Sequence, residues 1–395
     1  MAHKKHYFDG PVSSGFVSLY SSKLIISIAV GLLGMFFPIF LYNLFGQNFQ
    51  LVVLYYGLGF LLYLFTVAAG AIMLDDIGFR WALRASVFVG AASYIVYYFM
   101  DVNNLSTTIP IALFLSTLYR VLYWVPYHVN FTKFTNKKNI GRQVSAVLAT
   151  QIGLKVLMPL VAGVIITLYD FDVLFIMGII IFFASGIPYL TIPRTREKYS
   201  WGYFETWKNF LTRITHKTTL AFIAAGAETM VGIVVWPIFI FELLNGNYFQ
   251  VGLLSTLIVG ATVVVQLMSG KYLDKKIKKE KMLAWGSVLY SLGWVVKVFI
   301  ITAFEIFFIG VYHSMTAIMA RTPFDAMTYE MAADEGQYID EFTVIKEMAL
   351  QTGRVLMTLI ILAVTFIGPI KWVFIFAAIA SLFFHFLRSR DLTFV

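Results

Sequence analysis

The chain has 395 residues, 59% hydrophobic and only 13% charged, with a net charge of +9 and no cysteine. An ordinary soluble domain carries about 25% charged residues, so a fold wetted on every side is excluded. The missing cysteines exclude disulfides, thiol catalysis and thiolate metal sites. The positive balance alone suggests nucleic acid, but the position of the charges decides otherwise: they mark one face of a membrane.

Met1 to Ser22 is too polar for a signal peptide, and the apolar run Leu24 to Phe45 is longer than a cleavable core, so it reads as a retained first span. No charge occurs between Lys23 and Asp75. That is room for two helices of about 20 residues, each enough to cross about 30 Å of hydrocarbon. Hydropathy predicts about twelve spans, at 24–45, 51–73, 81–100, 105–127, 144–168, 172–192, 218–243, 250–273, 282–303, 304–324, 342–367 and 371–388. The runs are continuous, whereas a spanning strand alternates over about 10 residues, so the spans are helices.

Basic residues gather in every second connection: Arg80 and Arg84, then Lys133, Lys137, Lys138 and Arg142, then 194–217, 271–281 and Arg321. The opposite connections hold Asp101, Asp170, Asp172, Glu242 and Glu305, with Lys371 the exception. The positive-inside rule then predicts an integral, multi-pass protein with both termini cytoplasmic, in a plasma membrane of the bacterial inner type. Residues 193–217 join the parts as a linker, either an amphipathic stretch at the interface or a solvated connector.

The second part repeats the first. FPIFLYNLFGQNFQ at 37–50 returns as WPIFIFELLNGNYFQ at 236–250, with Pro38 matched to Pro237, Gly46 to Gly246, and Phe49-Gln50 to Phe249-Gln250. Asp75 maps to Asp274, Pro126 to Pro323 and Gly153 to Gly353, at offsets of 197 to 200. Two related halves are expected, an all-α pair of six-helix bundles at 1–192 and 218–395 with the linker between. Facing repeats place a binding site at their junction. Pro38 and Pro237 are expected to bend their helices.

Charges at membrane depth are costly and mark function. Arg120, Glu228 and His313 lie near the middles of their spans, as do Lys155 and Arg354, while Lys297 lies near a span end. Glu228 is the candidate for proton coupling and His313 the second; the alternative is an ion pair of Glu228 with Arg120 and a packing role for His313. Lys297 is expected to snorkel to the surface. Arg120, Lys155 and Arg354 against Glu228 leave a surplus of two positive charges, which suits an anionic cargo gripped by the planar forks of Arg120 and Arg354. Arg354 has the alternative of pairing with Glu347, with Gln351 between. Trp124 and Tyr127 recur with Arg120 at helical spacing, beside Tyr119 and Tyr123, as a stripe that could stack a ring or pack helices.

Gly270-Lys271-Tyr272-Leu273-Asp274-Lys275, followed by Lys278 and Lys279, resembles the loop motif of the major facilitator superfamily. Asp75, Gly78 and Arg80 form its first copy, with Asp76 where a basic residue is usual and Gly70 one position early. The resemblance implies gating roles for Asp75, Gly78, Arg80, Gly270, Asp274 and Lys275. It also implies that spans one, four, seven and ten line a central cavity, the spans that carry Arg120, Glu228 and His313.

The expected function is a secondary transporter working by alternating access, importing a small organic anion with protons. Proton-driven efflux of amphipathic compounds is the rival within transport, and a receptor or scaffold the rival outside it. The sequence holds no Walker loop, no His-Glu metal motif and no nucleophile elbow, so neither an enzyme, a cofactor nor a metal is expected. The partners are a small-molecule substrate, protons and the bilayer, without nucleic acid, and the working unit is a monomer.

Overall fold

A computed structural model describes residues 13–135, 140–195, 198–273 and 278–387, with the backbone alone for 140–141, 155 and 266–273. Hydrocarbon offers no partner to a backbone N–H or C=O, so a chain this apolar must satisfy them within its own segments. All regular elements among the described residues are helical. They run α1 (Ser14–Leu33), α2 (Phe36–Leu44), α3 (Phe49–Ile77), α4 (Phe79–Tyr98), α5 (Leu105–Phe134), α6 (Ile140–Lys155) and α7 (Met158–Tyr189) before the linker. The linker carries α8 (Tyr203–Arg213). After it come α9 (Lys217–Met230), α10 (Trp236–Leu243), α11 (Tyr248–Leu273), α12 (Lys279–Lys297), α13 (Ala303–Asp334), α14 (Ile339–Ile367) and α15 (Val373–Leu382). Eight helical stretches among the described residues are long and apolar enough to cross a membrane on their own.

The helices overrun the expected spans. The first begins at Ser14, capped by the Ser13 hydroxyl accepting from the Phe16 N–H at 3.1 Å, and so takes Lys23 inside. The expected fifth span is interrupted between Lys155 and Met158, and α7 breaks at Asp170, where φ is 63°, between the expected fifth and sixth spans. In the linker, α8 buries Thr206 and Phe210 and leaves Phe204 and Leu211 exposed.

The repeat has a structural meaning, at a register corrected by one residue. After α2, Gly46 and Gln47 take positive φ, and Asn48 caps α3 by accepting from Leu51 N–H at 3.1 Å. After α10, Asn245 and Gly246 take positive φ, and Asn247 caps α11 by accepting from Gln250 N–H at 2.9 Å. The backbone bond of Gln47 to Tyr42 recurs as that of Gly246 to Phe241, so the turns superpose at an offset of 199. Matching Gly46 to Gly246 follows letters; the backbone matches Gln47 to Gly246. Either order works because Asn, like Gly, tolerates the left-handed region.

Pro38 and Pro237 each sit just after a break in the helical path. A ring at position 38 cannot bond the carbonyl of Gly34, and the helix is interrupted between Leu33 and Phe36. Ahead of Pro237 the chain widens into a π turn over Val231–Val235.

Small residues set the closest approaches. A Cβ on Gly226 would lie 1.9 Å from the Leu350 carbonyl oxygen, and one on Gly353 would lie 1.8 Å from that of Ile223, so α9 and α14 touch backbone to backbone. A Cβ on Gly163 would lie 2.6 Å from the Tyr248 oxygen, which joins α7 to α11. On the side of the membrane away from the linker, Tyr42 donates to Glu242 and Asn43 to Tyr248, each at 2.6 Å. These bonds tie the first repeat to the second.

Gly153 and Gly353 matched in sequence, yet a Cβ on Gly153 meets nothing within 4 Å. Gly353→Ala and Gly226→Ala should each lower stability by about 1–3 kcal/mol through overpacking, while Gly153→Ala leaves it unchanged. Thermal unfolding of the three purified variants checks this, and equal losses at 153 and 353 would contradict it.

Candidate functional site

A cavity of about 300 Å³ lies between helices from before and after the linker, nearer the linker side of the membrane. Its walls come from α1, α5 and α6 on one flank and α9, α13 and α14 on the other, with Phe384 closing one end. Among the described residues four cationic side chains line it: Lys23, Arg321, Lys346 and Arg354. One carboxylate, Asp325, lines it with them. Trp124, Tyr127, Phe131, Phe222 and Phe324 supply aromatic wall.

Each cation is held in a different way. Lys23 projects from α1 over α5, its Nζ 4.5 Å from the Trp124 ring and 4.9 Å from that of Tyr127. Cation–π contact of this kind suits a half-buried lysine. Lys346 Nζ lies 3.3 Å from Glu347, which is also 3.5 Å from His128 Nε2. His128 Nδ1 and the Tyr329 hydroxyl share a hydrogen bond at 2.7 Å, so α5, α13 and α14 are linked through one imidazole. Arg354 donates to Gln351 at 2.9 Å, and Gln351 donates in turn to Glu347 at 3.4 Å. The expected Arg354–Glu347 pair is therefore relayed through Gln351.

Arg321 pairs with Glu228, which is 1% exposed, and the Tyr290 hydroxyl donates to the other oxygen of the same carboxylate. The partner is Arg321 and not Arg120, the alternative raised from the sequence. The physical reason is reach: Arg321 extends from α13 toward α9, whereas Arg120, at the middle of α5, turns back to donate to the Gly59 carbonyl at 2.7 Å. Arg120 and His313 both stand outside the cavity lining. His313 is packed, its ring 4.5 Å from Tyr290 and 4.5 Å from Trp294, with Nδ1 unbonded.

Lys297 is a second correction. It is 2% exposed and does not reach the surface; its Nζ sits 3.7 Å from the Trp236 ring and 3.9 Å from that of Trp294. Two indole faces substitute for water, which removes the reason to snorkel.

Of the stripe on α5, Trp124 and Tyr127 face the cavity, while Tyr119 and Tyr123 stack on one another at 5.2 Å. In the first loop copy, Gly78 has φ 76° and joins α3 to α4 in a single residue. Asp75 accepts from the Tyr199 N–H of the linker at 2.9 Å, so it fastens the linker and does not cap α4. Arg80 has a buried Nε without a hydrogen-bond partner. Gly270 falls near the end of α11, where side chains lie outside the described residues, as do Asp274 and Lys275 altogether. The side chain of Lys155 also lies outside them.

Sequence reasoning missed Lys23, His128, Arg321 and Lys346 as cavity residues. A signal existed for His128: it follows Arg120 and Trp124 at steps of four on one helical face.

Long apolar helices, satisfied backbones and a charged cavity enclosed among them define a polytopic membrane protein built to admit a polar solute. The sequence signature of the Major Facilitator Superfamily matches residues 19–217, and the chain belongs to that superfamily of membrane transport proteins. No curated protein matches it. Among solved structures, it is similar to the crystal structure of the human organic anion transporter MFSD10 (TETRAN), with a TM-score of 0.71, 10% identity, and coverage of 96% of this chain and 100% of that one. Identity this low speaks for the fold alone.

Removing one partner of a buried ion pair costs about 3–5 kcal/mol, because the other charge is stranded. Arg321→Gln should therefore destabilise the protein strongly, whereas Lys297→Met, which removes a buried cation without a bonded carboxylate, should leave stability unchanged or raise it. Thermal unfolding of both variants tests the difference; a larger loss in Lys297→Met would refute the assignment.

Proposed function

We propose that this chain is a secondary active transporter that imports a small organic anion with protons. In this reading two six-helix halves, 1–192 and 218–395, rock about the cavity and expose it to each face in turn, joined by the linker 193–217 with both termini cytoplasmic. The observation that carries it is the charge of the cavity: four cations line it against one carboxylate. Behind the lining Glu228 pairs with Arg321 and Glu347 with Lys346, and an anion of about the cavity's size suits the positive lining among the described residues. A human protein of the same fold is an organic anion transporter, so the fold is compatible with cargo of this class.

Arg354 and Lys23 are the cargo-binding cations in this reading, and Trp124 and Tyr127 give an aryl or aliphatic body a wall to lie on. Arg321 couples the cargo to the proton. While Glu228 is charged it holds Arg321; a proton on Glu228 cancels that attraction and frees the guanidinium to face an acid group. Anion and proton then each strengthen the binding of the other, which is the thermodynamic condition for symport. The aromatic wall also favours a second reading, export of amphipathic compounds, whose mark would be movement of cationic or neutral substrates.

Benzenesulfonate keeps its charge across the working pH range and so isolates the protein's own titration. Its binding should tighten as pH falls, by at most about tenfold per pH unit for one linked proton. In Glu228→Gln that dependence should vanish. Uptake into liposomes should follow an imposed proton gradient in the parent and ignore it in Glu228→Gln. Arg354→Gln should weaken the anion far more than a neutral analogue. Equal pH dependence in parent and Glu228→Gln would end the coupling assignment.

A further inference from the structure

Phe60 lies near the middle of α3 and is 4% exposed. The guanidinium carbon of Arg120 is 4.9 Å from its ring centroid, and that of Arg354 is also 4.9 Å away. Two like charges therefore share one phenyl ring at membrane depth, where repulsion is poorly screened. Their other hydrogen bonds go to neutral acceptors, the Gly59 carbonyl for Arg120 and the Gln351 amide oxygen for Arg354. Neither guanidinium meets a carboxylate within ion-pair distance among the described residues.

Donors around the ring outnumber acceptors. Tyr63, one turn further along α3, is 1% exposed, and its hydroxyl has no hydrogen-bond partner. It sits in the electrostatic field of Arg120, Arg354 and Glu347. Arg354 Nε is buried and unbonded as well. Buried polar groups are nearly always satisfied, so an unpaired set of this kind marks a missing acceptor, and between two arginines that acceptor is an anion.

Gly59 contributes by what it lacks. A Cβ there would lie 3.4 Å from Arg120 Nη1, so the bare backbone is what lets Arg120 come down beside the ring.

We propose that the Phe60 ring stands in for the acid group of the cargo, and that a carboxylate or sulfonate displaces it to bridge Arg354 in the cavity and Arg120 behind it. Tyr63 then donates a third hydrogen bond to the same group. Both guanidinium carbons lie 4.9 Å from the ring centroid, so an acid group that takes the ring's place needs each side chain to close in by only about 1 Å to reach hydrogen-bonding distance of both. A cation–π contact is weaker than a bidentate charge-assisted pair, so the exchange runs toward the anion when one arrives and back to the ring when it leaves. Arg120 becomes a second station for the acid group, closed to the cavity until Phe60 moves. The inference rests on the anion reading of the cavity.

The test is benzenesulfonate binding to the purified full chain in nanodiscs. Phe60→Leu keeps an apolar side chain but has no π face, and should bind the probe roughly tenfold more tightly. Phe60→Trp, with the strongest π face, should bind it more weakly. Arg120→Gln should weaken binding in the parent and cancel the gain in the Phe60→Leu background. If Phe60→Leu does not fold, the opposite shift in Phe60→Trp and the loss in Arg120→Gln still decide the matter. Arg120→Gln binding within twofold of the parent overturns the second station while leaving the cavity reading intact. A parent that binds no anion, or an Arg354→Gln variant that binds like the parent, overturns the cavity reading and this inference with it.

Discussion

A charge inside a membrane must be answered by another part of the same chain, because the surrounding solvent has nothing to offer it. Most of the interior follows from that constraint. Glu228 is answered by Arg321 and Tyr290, Lys346 by Glu347, Lys23 and Lys297 by aromatic faces. Lys346 and Glu347 are neighbours on α14, but Arg321 and Tyr290 reach Glu228, Trp124 reaches Lys23 and Trp236 reaches Lys297 from other helices, so these charges fix which faces of α1, α5, α9, α12 and α13 turn inward. Apolar packing cannot make that choice here: lipid is as apolar as the helix surface, and rotation of an all-apolar helix changes little.

The fold was legible because the same solvent writes a simple code. Continuous apolar runs located the helices, and the recurrence of Pro38 and Pro237 located the related turns. What the code does not carry is where a helix stops being lipid-facing and continues as a polar wall. A hydropathy window ends a span where charges begin, and α1, α5 and α13 continue past that point by about two or three turns. Lys23, His128 and Arg321 lie in or beside those overruns. Arg321 read as an orientation residue and Lys23 as the edge of an apolar run, while His128 lies past the expected end of its span.

Partnering was less legible than placement. Arg120 is central in α5 and Glu228 in the apolar stretch Lys217–Leu243, and depth alone made them a plausible pair. Rotation about each helix axis decides contact, and residue number gives depth with certainty but rotation only through a face pattern. On α5 the aromatics Tyr119, Tyr123, Trp124 and Tyr127 share one face with Arg120, so the stripe did not tell which of them turns to the cavity and which to a neighbouring helix. Lys297 shows the converse. Its position near the end of α12 fitted snorkelling, and only the approach of Trp236 from another helix makes burial cheaper.

The π turn at Val231–Val235 separates Glu228 from Trp236, and so stands between the carboxylate that holds Arg321 and the indole that covers Lys297. A wide turn stores one residue beyond the regular winding, and rewinding it would swivel everything beyond by about 100°. The segment that would swivel is α10, whose Glu242 is moored to Tyr42 across the repeat. Torque generated at the acid could in this way cast off a mooring on the opposite leaflet, with no lever longer than five residues.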